Sequence, residues 1–266
     1  MKITKLLNSL NNLSTTDIKF PDIPVSRREI LNKAGDKGIK AIMASLPVMF
    51  GLSVLSRTAS AQSNQTVIDT LNFALTLEYL EAQFYVQGLA AGGLIPASDR
   101  PVFLQIGKHE TAHVTVLRQT IQDLNGTPIA QPLFDFTAGG TYPNVFTDYA
   151  TFLTISQAFE DTGVRAYKGQ AGNLMGNSAV LTAALQIHSV EARHASEVRR
   201  IRGQKGWIVN AESGGAPAAI YNGENNTTQA GVNILTYVSG TAASESFDEP
   251  LSKTDVVAIV TPFIVG

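Results

Sequence analysis

Four segments between residues 64 and 203 repeat apolar residues every three or four positions, the spacing that gathers one face of an α-helix. In the first, from about Gln65 to Gly88, Val67, Leu71, Ala74, Glu78, Ala82, Tyr85 and Leu89 share a face; Ser63 or Asn64 opens it and Gly92 and Gly93 follow it. The second starts near Ser98 with Pro101 in its first turn, aligns Phe103, Ile106, Glu110, His113, Leu117 and Leu124, and stops at Asn125 and Gly126. A third is expected from Thr147 to near Gly172. The fourth, about Ser178 to Gly203, aligns Leu181, Ala184, His188, Glu191, His194 and Val198.

The connections between these helices are unequal. The first and third are short and join antiparallel neighbours, whereas residues 126–146, with Pro128, Pro132, Gly139, Gly140 and Pro143, are long enough to cross between two hairpins. The expected fold is therefore an all-α four-helix bundle over residues 62–205 with a long crossover between helices 2 and 3. Residues 206–266 are poor in charge and rich in Gly, Asn, Ala and Thr, so they are expected to form an irregular C-terminal extension packed on the bundle through Trp207 and Tyr221. A short fifth helix is expected from Ser252 to about Val260, because Ser252 and Asp255 have capping-box spacing and Pro262 would end it.

The apolar stripes carry acids at their centres. Glu78 is the only charged member of its stripe, and burying a lone carboxylate costs several kcal/mol unless a cation or proton accompanies it. The fourth helix repeats the second, placing Glu191 and His194 as Glu110 and His113 are placed, three residues apart on one helix side where both can reach one ion. The third repeats the first: Glu160 precedes Tyr167 by seven residues as Glu78 precedes Tyr85. A single Glu-x-x-His is a weak signal; two copies in register with two central glutamates are a strong one.

Composition narrows the chemistry. The chain has no cysteine, which excludes disulfide scaffolds, thiolate zinc sites and cysteine-held iron–sulfur clusters, so any metal must be held by oxygen and imidazole. Residues 1–61 hold nine Lys/Arg against four Asp/Glu, leaving an acidic body whose charge argues against nucleic acid as a partner. In the same segment Arg27 and Arg28 precede an apolar run from Ile39 to Leu55 and the small residues Ala59, Ser60 and Ala61. This order resembles a twin-arginine export signal cleaved near Ala61, which implies a periplasmic or extracellular location. Retention of the run as an N-terminal anchor is the alternative, and with Pro47 and Gly51 inside it the run is marginal as a permanent span.

Taken together, these motifs resemble the ferritin-like superfamily. The segment Leu77-Glu78-Tyr79-Leu80-Glu81-Ala82-Gln83-Phe84-Tyr85 is similar to the branch that includes desiccation-related proteins, and Phe247-Asp248-Glu249-Pro250-Leu251 resembles the tail of bacterial members. The likeness spans about Val67 to Arg202. It implies a centre of two Fe or two Mn ions, with Glu78 and His113 terminal to one, Glu160 and His194 terminal to the other, and Glu110 and Glu191 bridging. Glu81, one turn beyond Glu78, competes for the first-helix place, although the tyrosine at i+7 favours Glu78. His188 reads as a partly buried ring bonded to backbone or water, or as an extra ligand. His109 should face the surface, Lys108 and Arg193 should lie on other faces, Tyr85 and Tyr167 either bond site carboxylates or pack in the core, and Asp161 is expected to orient a ligand imidazole.

The resemblance implies redox chemistry on oxygen or peroxide, of ferroxidase or catalase type, in stress protection. The alternative is a non-enzymatic, metal-stabilised stress or desiccation-related protein. Metal ions are the expected partners, no permanent membrane span is expected after signal cleavage, and a homodimer is left open.

Overall fold

The computed structural model describes residues 64–265; the expected export segment, with Arg27, Arg28 and the cleavage point after Ala61, lies outside them. Four long helices follow in the expected order: α1 (Asn64–Ala90), α2 (Arg100–Asp123), α3 (Tyr149–Gln170) and α4 (Ser178–Ile201). Local chemistry fixes their ends within a few residues of the sequence expectation. Asn125 takes a positive φ of 59° and Gly126 N–H bonds Ile121 C=O at 2.8 Å, closing α2. Asp148 and Asn177 cap α3 and α4 by accepting from the backbone N–H of Thr151 and Val180. A 3-10 turn, Ala171–Leu174, continues α3 beyond Gln170.

α1 packs along α2 and α3 along α4, and the two hairpins meet mainly through α1 against α3, with a lighter contact of α2 on α4. This is the expected all-α bundle. More than half of α1 and over two thirds of α3 are buried, whereas only a quarter of α2 and a third of α4 are. The sequence difference explains this. α1 is apolar on most sides, α3 buries Gln157, Asp161 and Arg165 against partners in the extension besides its apolar residues, and α2 and α4 bear one apolar stripe.

The second faces of α1 and α3 are covered by the crossover and the extension. Phe136 and Val145 from the crossover, and Leu251, Val256, Val260 and Phe263 from the extension, join Phe84, Phe152 and Phe159 in the largest core cluster. The crossover and the chain end are also tied by a two-residue antiparallel pairing, β1 (Leu133–Phe134) with β4 (Ile264–Val265). The chain crosses α3 at Gly169, where a Cβ would meet the carbonyl oxygen of Leu251 at 1.9 Å, so only glycine fits.

The extension departs from expectation in two respects. It carries two short helices, α5 (Gly240–Glu245) and α6 (Lys253–Val260), besides a small β2 (Thr228–Gln229) and β3 (Val232–Asn233) hairpin. Ser239 caps α5, and its six residues are too few for a periodic signal. Tyr221 is fully buried as expected, but Trp207 stays 47% exposed because its neighbour Ile208 takes the inward place. α6 matches the expected fifth helix, with Ser252 accepting from Asp255 N–H.

Candidate metal centre

The bundle's central layer brings all six expected side chains to one place. Glu78, Glu110, Glu160 and Glu191 are completely buried, and His113 and His194 are 8% and 5% exposed. Two overlapping groups form: Glu78, Glu110, His113 and Glu191, and Glu110, Glu160, Glu191 and His194, each with its ligand atoms within 4.8 Å of one another. Glu110 and Glu191 belong to both.

The distances show why protein groups alone do not satisfy this cluster. Nδ1 of His113 has oxygens of Glu78, Glu110 and Glu191 at 3.1, 3.0 and 3.0 Å. A ring nitrogen carries one hydrogen and cannot serve three oxygens fully. Nδ1 of His194 stands 2.8 Å from Glu110 and 3.3 Å from Glu160, yet it and Oε1 of Glu110, Oε2 of Glu160 and both oxygens of Glu191 are buried without an aligned hydrogen bond. Such orphaned acceptors are rare in native cores and fit an ion placed among them. Among the described residues no Lys or Arg forms an ion pair with these glutamates. The two buried arginine pairs, Arg199 with Asp161 and Arg165 with Glu224, involve other acids.

Electrostatics agree. Burial and the charge of Glu191 hold Glu78 well above the usual carboxylate range, and burial pushes Glu160 up to about 8 against the pull of His194. Burial opposes charge on His113, but the carboxylates of Glu110, Glu191 and Glu78 within 3.1 Å of its Nδ1 outweigh it and raise the ring to about 12. His194 is likewise raised to about 12, burial being overcome by the charge of Glu160 and by the nearby carboxylates of Glu110 and Glu191. Burial would raise Glu191, yet the two imidazoles beside it, Nδ1 of His113 at 3.0 Å and of His194 at 3.7 Å, carry it down to about 2. Protons thus do, in the absence of a cation, what a cation would do better.

Around the cluster the tyrosines exchange partners. Tyr85 from α1 donates to Glu160 on α3 and approaches Ser156 Oγ at 2.7 Å, while Tyr167 from α3 donates to Glu78 on α1. Burial and these carboxylates hold both phenols well above their usual range, so they remain donors. Glu81 is buried beside the cluster but outside both groups. It faces Gly163, where a Cβ would lie 3.1 Å from its Oε1, and burial followed by the charge of Glu191 raises it well above normal.

Two expectations need correction. Asp161 orients no ligand imidazole; its carboxylate accepts from Arg199 at 3.1 and 2.5 Å and from Tyr221 at 2.7 Å. One residue beyond Glu160 turns it about 100° round the helix, toward the extension. His109 is not a plain surface residue: it is partly buried, with Nδ1 2.8 Å from Nε2 of His194, and burial followed by His194 lowers its pKa. The only hint in the sequence was its place directly before Glu110. His188 is partly buried on α4 with Val164 backbone beside it, and Lys108 and Arg193 are exposed as expected.

A family model described as a ferritin-like domain matches residues 66–204, which span α1 to α4 and all six side chains. The chain belongs to the ferritin-like domain family. A search of curated proteins found no match. In this ferritin-like domain the hairpin pairing, the crossover and the buried Glu/His cluster coincide, and the cluster has the donor atoms and spacing that could hold metal ions.

Proposed function

We propose that the chain is an exported ferritin-like protein whose centre holds two Fe or two Mn ions and carries redox chemistry on oxygen or peroxide in stress protection. The observation that carries this reading is the sharing of Glu110 and Glu191 between the two groups. Glu78 and His113 would be terminal to one ion, Glu160 and His194 to the other, and Glu110 and Glu191 would bridge. Four carboxylates balance the charge of two divalent ions, which lets them be buried. Oxygen donors with one imidazole per ion suit Fe or Mn.

When bound, such a pair of ions would supply two-electron redox capacity at one point. The residues do the rest: Tyr85 and Tyr167 hold the terminal glutamates in place, and the burial of all six side chains excludes bulk water. Peroxide added to metal-loaded protein should disappear, or the metal should be oxidised, faster than in a Glu110→Ala, Glu191→Ala variant. Equal rates would refute the chemistry.

A second reading, a non-enzymatic metal-stabilised stress protein, draws on the extension. Arg165 pairs with Glu224 at 2.7 Å and donates to the carbonyls of Ile220, Asn222 and Glu249, fastening residues 206–266 over α3. This reading expects metal removal to lower the melting temperature with no turnover. No helix among the described residues is long and apolar enough to cross a membrane.

A further inference from the structure

The two histidines of the centre are not equivalent. Behind His194 stands a second imidazole: Nε2 of His194 is 2.8 Å from Nδ1 of His109, the two rings lie end to end and nearly coplanar, with centroids 5.1 Å and planes 11° apart, and Nε2 of His109 meets the side-chain amide of Gln105 at 2.6 Å. His113 has no such neighbour bonded to its outer nitrogen among the described residues. The pseudo-repeat accounts for the difference, since the residue before Glu110 is His109 and the residue before Glu191 is Val190, which cannot bond.

We propose that His109 is a positioning residue that fixes the ring orientation and tautomer of His194, making the Glu160–His194 subsite the more firmly built of the two. The inference rests on the dinuclear reading above. A ring that offers Nδ1 to an ion must carry its hydrogen on Nε2, and that hydrogen needs an acceptor to hold the ring still. Nδ1 of His109 is that acceptor. The hydrogen of His109 then sits on its own Nε2, and Gln105 receives it with its amide oxygen after a half-turn of the amide group. The link runs from the buried centre through the partly buried His109 to the exposed Gln105, so it crosses the seam between α2 and α4 and couples ligand geometry to the packing of those two helices.

Titration of the full chain with Mn²⁺, followed by calorimetry, tests this. The native protein should bind two ions. His109→Ala should weaken one of them about 10- to 100-fold, the usual effect of losing a partner behind a metal-bound histidine, and leave the other unchanged. His109→Asn, whose side-chain oxygen falls near the place of Nδ1, should restore most of the affinity, and the metal-free melting temperature should differ little among the three. Unchanged affinity in His109→Ala, or an Asn variant as weak as the Ala variant, would overturn the assignment while leaving the centre standing. Failure of the native chain to bind two ions would remove the centre and this inference together.

Discussion

The hydroxyl of Tyr167 lies 2.5 Å from Oε1 of Glu78, joining a tyrosine of α3 to a glutamate of α1 in the interior of the bundle. Tyr85 and Glu160 repeat the relation with the helices exchanged. The two pairs are symmetric about one midpoint, as antiparallel helices require. The glutamate-to-tyrosine spacing of seven residues is therefore a cross-brace between the two halves of the bundle, not a contact within one helix.

Removing the brace leaves a buried carboxyl oxygen without its donor. Tyr167→Phe should lower the stability of the metal-free chain by about 1–3 kcal/mol, and Tyr85→Phe by a similar amount. Denaturant unfolding measures this. An unchanged midpoint in both variants would show that the hydroxyls carry no such role.

The six clustered side chains were legible in the sequence because each interrupts an apolar stripe at helical spacing, and the duplication made chance alignment improbable. The crossover was legible from its proline and glycine content. What was not legible depends on partners in other helices. His109 lies one step off the stripe, and only the α2–α4 seam brings it to His194. Asp161 sits beside a predicted ligand, yet Arg199 and Tyr221 claim it from the other side of α3. α5 and the two-residue strands are too short to leave a period, and nothing local distinguishes the exposed Trp207 from the buried Ile208.

The metal-free and metal-loaded forms should respond to pH in opposite senses. Glu160, raised to about 8, and the two histidines, raised to about 12, bind protons more tightly folded than unfolded. Their contribution is complete below the unfolded values and is lost as pH rises through the folded ones. Glu191, lowered to about 2, loses its contribution only in strong acid. Metal-free stability should fall from about pH 5, through the Glu160 value near 8 and on toward the imidazole values near 12, whereas ion affinity should rise as the same protons become easier to displace. The melting-temperature gain on adding Mn²⁺ should accordingly widen across that range. A gain that narrows would contradict the assignment.

Glu81 provides a control within the same helix. Glu81→Gln replaces a carboxyl whose pKa burial raises well above normal, and which lies outside both ligand groups, by a neutral amide of the same shape, so the stoichiometry of bound metal should not change. Loss of one ion would move Glu81 into the ligand set in place of Glu78, and elemental analysis distinguishes the two.

The extension should depend on Arg165. Arg165→Ala strands Glu224 in the interior and removes three bonds to carbonyl oxygens, which should cost about 3–5 kcal/mol. Limited proteolysis should then cut within residues 206–266 well before the bundle. Equal resistance in variant and native protein would mean that apolar packing alone holds the extension.

The most direct test is metal analysis of the protein purified from the compartment in which it resides, alongside the Glu110→Ala, Glu191→Ala variant. Two Fe or two Mn ions per native chain, with both lost in the variant, is the predicted result. A native chain free of transition metal that also takes up none on loading, or a variant that retains both ions, would contradict the account.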